Sequence, residues 1–208
     1  MLDNLKRTLS LKAPLIVEAF QNPVDESKFS ELEEVVKEKL PADFRELYLN
    51  HNGFSKDKFA NLFYGFPFSR LEDIISAQKK LVSQNDMKPL RFSDEGIKSE
   101  YTFGKKRVPI GDDSGTSLLC VDLDPGKKGT FGQIIMLDYA MGVALLLNES
   151  IHEMVSQFEI DLSEDKYSLQ EDALEDGVHW LKPIREIEPV NWFNSPRWGY
   201  VNEALKTS

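Results

Sequence analysis

The sequence predicts an α+β fold in which helices flank an antiparallel meander. Three observations predict it. Three apolar runs lie close together, "LLCV" (118–121), "IIML" (134–137) and "VALLL" (143–147), and continuous runs of this length suit strands covered on both faces. The links between them, 122–133 and 138–142, are too short for a helical crossover, so neighbouring strands must run antiparallel. Amphipathic stretches on either side of the meander, with apolar residues three and four apart, supply the helices.

Taken in order, "SELEEVVKEKL" opens with the pattern of a capping box, Ser30 and Glu33, and places Leu32, Val35, Val36 and Leu40 on one helical face. Pro41 fits the start of a second helix, where its missing N–H costs nothing. In "PADFRELYLNHNG" the residues Phe44, Leu47 and Tyr48 share a face, Gly53 is placed to end the helix, and His51 reads as a helix-end residue touching the core. "FANLFYGFPF" is short and aromatic and reads as a strand leading into a turn. "SRLEDIISAQKKLV" repeats the capping box (Ser69, Glu72) before Leu71, Ile74, Ile75, Gln78, Leu81 and Val82 at helical spacing. Residues 84–107 are polar and irregular, and Lys105, Lys106 and Arg107 read as the solvated start of a strand.

After the meander, "NESIHEMVSQF" is a helix with Asn148 as its expected cap, Ile151, Met154, Val155 and Phe158 inward, and His152 in solvent. A third capping box, Ser168 and Glu171, starts a short helix that Gly177 should end. The tail carries Trp180, Trp192, Phe193 and Trp198, whose large apolar areas should pack on the body. The expected organisation is one domain over 1–208, with a core at about 28–160 and an aromatic extension over 163–208 packed on it.

Composition narrows the function. The chain of 208 residues carries a net charge of −10. Its acid is concentrated: Glu159, Asp161, Glu164, Asp165, Glu171, Asp172, Glu175 and Asp176 stand against Lys166 alone. Such a surface repels phosphate backbones and attracts a basic protein, so nucleic acid is not the expected partner. The single cysteine, Cys120, excludes an internal disulfide and a thiolate zinc site. A brief N-terminal apolar stretch broken by Glu18 is neither a signal peptide nor a membrane span, and the expected location is cytoplasmic.

The stretch "IGDDSGTSLLCVDLDPG" (110–126) sets Asp112 and Asp113 before an apolar run and Asp122 and Asp124 after it. The spacing is not that of the GDSGG loop of chymotrypsin-like proteases, nor of the GxSxG elbow. It lacks the alternating acids and terminal glutamate of a calcium loop, since Pro125 and Gly126 follow Asp124. Asp and Gly instead supply what tight turns demand. The stretch therefore reads as a hairpin with acidic corners, without catalytic residues, metal or cofactor.

The order of pieces resembles a known superfamily. "LPADFRELYLNHNG", then "VPIGDDSGTSLLCVDLDPGKKGTFGQIIML", then "VALLLNESIHEMV" is similar to the SUKH superfamily, which includes the yeast cell-wall assembly regulator and killer-toxin-resistance proteins. The resemblance rests on Leu40–Pro41, Asn52–Gly53, Pro109–Ile110, the Asp-Ser-Gly turn, Val121–Asp122–Leu123, and Gly129 with Gly132–Gln133–Ile134, and covers roughly 28–160. The chain departs from that pattern at Arg107 and Val108, where members often carry a tryptophan, and in its tail. The resemblance implies a curved antiparallel sheet with helices packed on it and no enzymatic activity. It also implies either an immunity protein that binds and neutralises a cognate toxin, often a nuclease, or a regulatory scaffold of cell-wall type. The leading expectation is the immunity protein, its contacts made by Asp112, Asp113, Asp122 and Asp124 and by Glu164, Asp165, Glu171 and Asp172. The scaffold is the alternative, and a small hydrolase using the corner aspartates is a third.

Overall fold

The computed structural model describes residues 2–81 and 88–207. Helices α1 (Asp3–Lys12), α2 (Pro14–Ala19), α3 (Ser27–Val36), α4 (Ala42–Asn50) and α5 (Leu71–Leu81) precede the sheet. Its strands are β1 (Phe92–Ser93), β2 (Arg107–Asp112), β3 (Ser117–Asp122), β4 (Gln133–Asp138) and β5 (Val143–Asn148). Then come α6 (Ile151–Ser163), a hairpin of β6 (Tyr167–Leu169) and β7 (Leu181–Pro183) with α7 (Glu171–Glu175) between its strands, and finally α8 (Gly199–Thr207).

The strand order is β1-β5-β4-β3-β2. The meander β2–β5 is antiparallel throughout, as the short links require, with Val121 opposite Ile134 and Met136 opposite Leu145. The sheet as a whole is mixed, because the two-residue β1 joins β5 in parallel, a pairing too short to leave an apolar signature in the sequence. Register shifts at Pro109/Gly111 and at Ile134/Ile135 bend the strands.

Alternating residues feed two apolar layers. Val108, Ile110, Leu119, Val121, Met136 and Leu145 join Leu47, Ile74, Met154 and Phe158 in the main core. Cys120, Ile135, Leu137 and Ala144 face the other way and are covered by Leu90, Ile97 and Phe103, from the segment that reads as polar and irregular. Among the tail aromatics, Trp192 and Trp198 are buried, and the Trp192 Nε1 donates to Asp138 at 3.1 Å. Phe193 is 53% exposed and Trp180 half-buried.

Several expectations are corrected. The capping box at Ser30 and Glu33 does not form: α3 begins earlier, where Asp25 accepts from the Ser27 N–H, so Ser30 is already inside the helix. The start of α5 is met from outside, the Leu71 N–H donating to the Asn52 Oδ1 and the Asn52 amide donating to Glu72, in place of a Ser69–Glu72 box. Val82 lies outside the described residues. For α6 the cap is Ser150, which accepts from the Glu153 N–H, while Asn148 ends β5 and accepts from the Tyr64 hydroxyl. Ser168 lies in β6 and Gln170 precedes α7, though Gly177 does end that helix at φ +71°, with the Val178 N–H bonded to the Ala173 carbonyl.

The expected strand at 59–68 is instead a 3-10 turn over Phe63–Gly65. Its aromatics pack inward, and Asn61 ties the turn to Leu181 with two hydrogen bonds. Gly53 does not end α4, whose last residue is Asn50; it allows a close crossing, since a Cβ there would sit 2.6 Å from the Ser69 backbone. His51 stacks on Phe20 and holds the Gln21 carbonyl, a helix-end contact as expected.

Candidate functional site

The β2–β3 link is a turn built by its own acids. The Asp112 Oδ1 accepts from the Ser114 N–H, and the Asp113 Oδ1 accepts from the Gly115 and Ser117 N–H groups, at 2.8–2.9 Å. The left-handed residue is Ser114 at φ +59°. Asx-type bonds of this kind hold a tight turn. Neither acid has a cation partner among the described residues. Asp113 also lines a cleft of about 260 Å³ with Gln170, Trp180, Pro183 and Glu188, so the corner adjoins the β6–β7 hairpin and the start of α7.

At the far end of β3 the acids do different work. Asp122 is wholly buried, its Oδ1 accepting from the Asp124 N–H and its Oδ2 from the Gln133 amide. Burial pushes its pKa up, against the lowering pull of those bonds and of Arg107. This corrects its reading as a partner contact: no part of its carboxylate is presented at the surface. Asp124 is partly exposed and engaged by Lys98 at 2.6 Å and by the Tyr101 hydroxyl at 3.1 Å. The Gln133 side chain also donates to the Gly96 carbonyl, and Gly129 is crowded there: an added Cβ would lie 2.2 Å from that same oxygen. Asp112 stands opposite Leu118, four residues before Asp122, and a strand spans about 3.3 Å per residue, so β3 holds the two aspartate pairs about 13 Å or more apart. They do not form a two-carboxylate site, which removes the geometric basis of the hydrolase reading.

Glu164 and Asp165 sit where α6 gives way to β6, in salt bridges with Lys166 and Lys12. Glu171 and Asp172 stand in the first turn of α7, at the other end of β6. With Glu175 and Asp176 they are exposed, and none of the four forms an ion pair among the described residues. The structure thus brings Asp113 into one cleft with Gln170, the residue before α7, and with Lys182, while none of Asp124, Glu164 and Asp165 lines that cleft.

Sequence reasoning missed Arg107. It is 3% exposed rather than solvated, because its guanidinium donates to the carbonyls of Lys98, Tyr101 and Thr102 and lies 4.3 Å from the Tyr101 ring centroid. Its place beside Val108 at the head of an apolar strand was the available signal. Cys120 is buried, and burial pushes its thiol up to about 12, which leaves it protonated at neutral pH. Among the described residues no group of three or more His, Cys, Asp or Glu could hold a metal, and no helix is long and apolar enough to cross a membrane.

Fold and surface together define an α+β protein whose sheet is covered on both faces and in which the acids and lysines that line the hollow between α3 and α5 include the Lys28–Glu31 and Lys79–Glu31 ion pairs. The chain belongs to the SMI1 / KNR4 family (SUKH-1), whose pattern matches residues 23–163. It is also 32% identical over 91 residues to a glucan synthesis regulatory protein of Neurospora crassa. That match covers 44% of this chain and 17% of the relative, so the chain spans a small part of that protein.

Proposed function

We propose that the chain is a non-enzymatic immunity protein that neutralises a basic protein toxin, of the nuclease class, by stoichiometric contact in the cytoplasm. Helix α7 is the observation that carries this reading. It presents Glu171, Asp172 and Glu175, followed by Asp176, with no ion pair to any of them among the described residues, and Asp113 meets Gln170, the residue before α7, in a cleft that Lys182 also lines. An unneutralised acidic surface speeds encounter with a basic partner and rejects acidic ones. Family membership supports a non-catalytic role. A second reading, a regulatory scaffold, is favoured by the relative named as a glucan synthesis regulatory protein.

The test is co-expression with the product of the adjacent reading frame, assayed for toxicity on its own, followed by sizing of the purified pair. Immunity predicts that cells survive and that a one-to-one complex forms. Cells that die despite abundant folded chain would remove the immunity reading and leave the scaffold.

A further inference from the structure

The cleft of about 260 Å³ beside the β2–β3 corner holds charges of both signs that do not neutralise one another. Asp113 enters it from the corner, Lys182 from β7, and Glu188 from the segment after β7. The two acids are half-buried and the lysine is exposed. Among the described residues none of the three forms an ion pair, although they line one cleft. Asp113 is fixed by its turn bonds to Gly115 and Ser117, while Glu188 accepts only a long bond, 3.4 Å, from the Asn191 amide. Trp180, Pro183 and Val190 add carbon surface. Other polar groups at the cleft are already engaged: Asn61 takes both the Leu181 N–H and the Leu181 carbonyl, and the Tyr64 hydroxyl donates to Asn148.

We propose that this cleft binds a free amino acid with an apolar side chain, its ammonium held by Asp113 and Glu188 and its carboxylate by Lys182. The inference goes beyond the toxin-binding reading and does not depend on it. Sign selects the ligand. An anion meets two carboxylates, and a plain cation is drawn by the acids but repelled by Lys182. A neutral apolar molecule would shield half-buried acids from water with nothing to pair them. A zwitterion answers both signs at once, with charge-assisted hydrogen bonds at each end. Lys182 can follow the ligand, because its ammonium sits on a flexible four-carbon stem, and the Trp180 ring gives the side chain a flat apolar wall. Size agrees: the volume lies below the roughly 300 Å³ at which pockets for drug-sized ligands begin, which suits one amino acid. Asp113 belongs to the stretch that matches the family, whereas Lys182 and Glu188 lie beyond it, so the site depends on this tail.

Leucine is the probe, with two blocked forms: N-acetylleucine, which keeps only the anion, and leucinamide, which keeps only the cation. Titrating the intact protein with leucine should give saturating amide shifts at Gly65, Asp113 and Lys182. Each blocked form should bind at least about tenfold more weakly, the loss expected for one charge-assisted contact. Lys182→Gln should weaken leucine about tenfold or more and leave leucinamide no weaker, whereas Glu188→Gln should weaken both. Melting curves check that the variants fold, and if one does not, the ligand series on the unaltered protein decides. Absence of a saturating shift as leucine is raised into the millimolar range would overturn the inference. Leucinamide binding as tightly as leucine would overturn it too, by making the cleft a simple cation site. The same holds for leucine shifts that saturate only elsewhere on the surface. No toxin enters these measurements, so failure to rescue cells bears on the immunity reading alone.

Discussion

Arg107 and Asp122 are register partners across β2 and β3, and both are withdrawn from solvent, at 3% and 0% exposure. No hydrogen bond joins them. Arg107 instead ties down the segment that covers the second sheet face, and Asp122 ties down the β3–β4 link. Each charge is the other's long-range compensation, which is why Arg107 lowers the Asp122 pKa while burial raises it.

Arg107→Met should therefore cost about 3–5 kcal/mol, the range for breaking a buried charge arrangement from one side. It strands the carbonyls of Lys98, Tyr101 and Thr102 and leaves Asp122 buried alone. Denaturant unfolding measures the loss, and hydrogen exchange should show 98–104 opening first. Adding Asp122→Asn should recover part of the stability; a double variant as unstable as the sum of the singles would show that the two residues do not communicate.

The same pair shows what could be read from the sequence and what could not. The meander was legible because apolar runs and short links are local signals, and Val121 opposite Ile134 follows from them. The helix at 151–163 was legible from Ile151, Met154, Val155 and Phe158 for the same reason. Its cap, Ser150 with Glu153 three residues on, is a local pattern as well, and a reading that places the cap at Asn148 misses it. Asp43, from α4, also accepts from the Ile151 N–H across 108 positions, and no pattern near residue 150 announces that. Capping boxes failed at Ser30, Ser69 and Ser168 because Ser-x-x-Glu is common, while helix starts here are decided by residues such as Asp25 and Asn52. Of the candidate contacts, Asp112 and Asp113 were legible as turn acids. The burial of Asp122 depends on Gln133 and Gly96 closing over it, which is tertiary.

Glu33 carries the clearest pH dependence. Its burial raises the carboxyl, but donations from Lys39, the Leu40 N–H and Arg45 outweigh this and bring it from 4.5 to about 2. A folded pKa held below the ordinary value gives stability that is complete above about pH 4.5 and lost as the pH falls toward 2. The Glu33→Gln variant should be less stable at neutral pH by about 2 kcal/mol, a figure reduced for the exposed Lys39. The gap between variant and parent should close between pH 4.5 and 2. Melting curves across that window are the check; a constant gap would place the cost in packing.

Lys37 ends α3 in the left-handed region at φ +57°, with its side chain in solvent. A side chain there is strained and glycine is not. Lys37→Gly should raise stability by about 0.5–1 kcal/mol, read from the denaturant midpoint. An unchanged or lowered midpoint would mean that the lysine side chain contributes something its exposed position does not reveal.

The tail should unfold with the body. Trp192 and Trp198 join the main core, and Asp138 receives the Trp192 indole N–H. Trp192→Ala should cost about 3–5 kcal/mol, and deletion of 178–208 should lower the melting temperature sharply. Tryptophan fluorescence and far-ultraviolet dichroism should report one coincident transition. Two separated transitions would make the tail an independent unit.

Charge should govern the approach of the partner. The field of Glu171, Asp172, Glu175 and Asp176 reaches about 8 Å at physiological salt and about 3 Å at 1 M, so added salt should slow association with a basic toxin far more than it speeds dissociation. Reversal to lysine at Glu171 and Asp172 should slow association in the same way at a cost to stability of about 1 kcal/mol, because both side chains are exposed and outside any ion pair, though they stand in the first turn of α7 and Asp172 accepts from Gln170. Reversal at Glu164 and Asp165 should do less to the rate, since Lys166 and Lys12 already offset those charges. Stopped-flow kinetics at two salt concentrations separate these cases. If association is insensitive to salt and to reversal at α7 while binding persists, the contact energy lies in short-range packing away from α7, which governs dissociation where long-range charge does not.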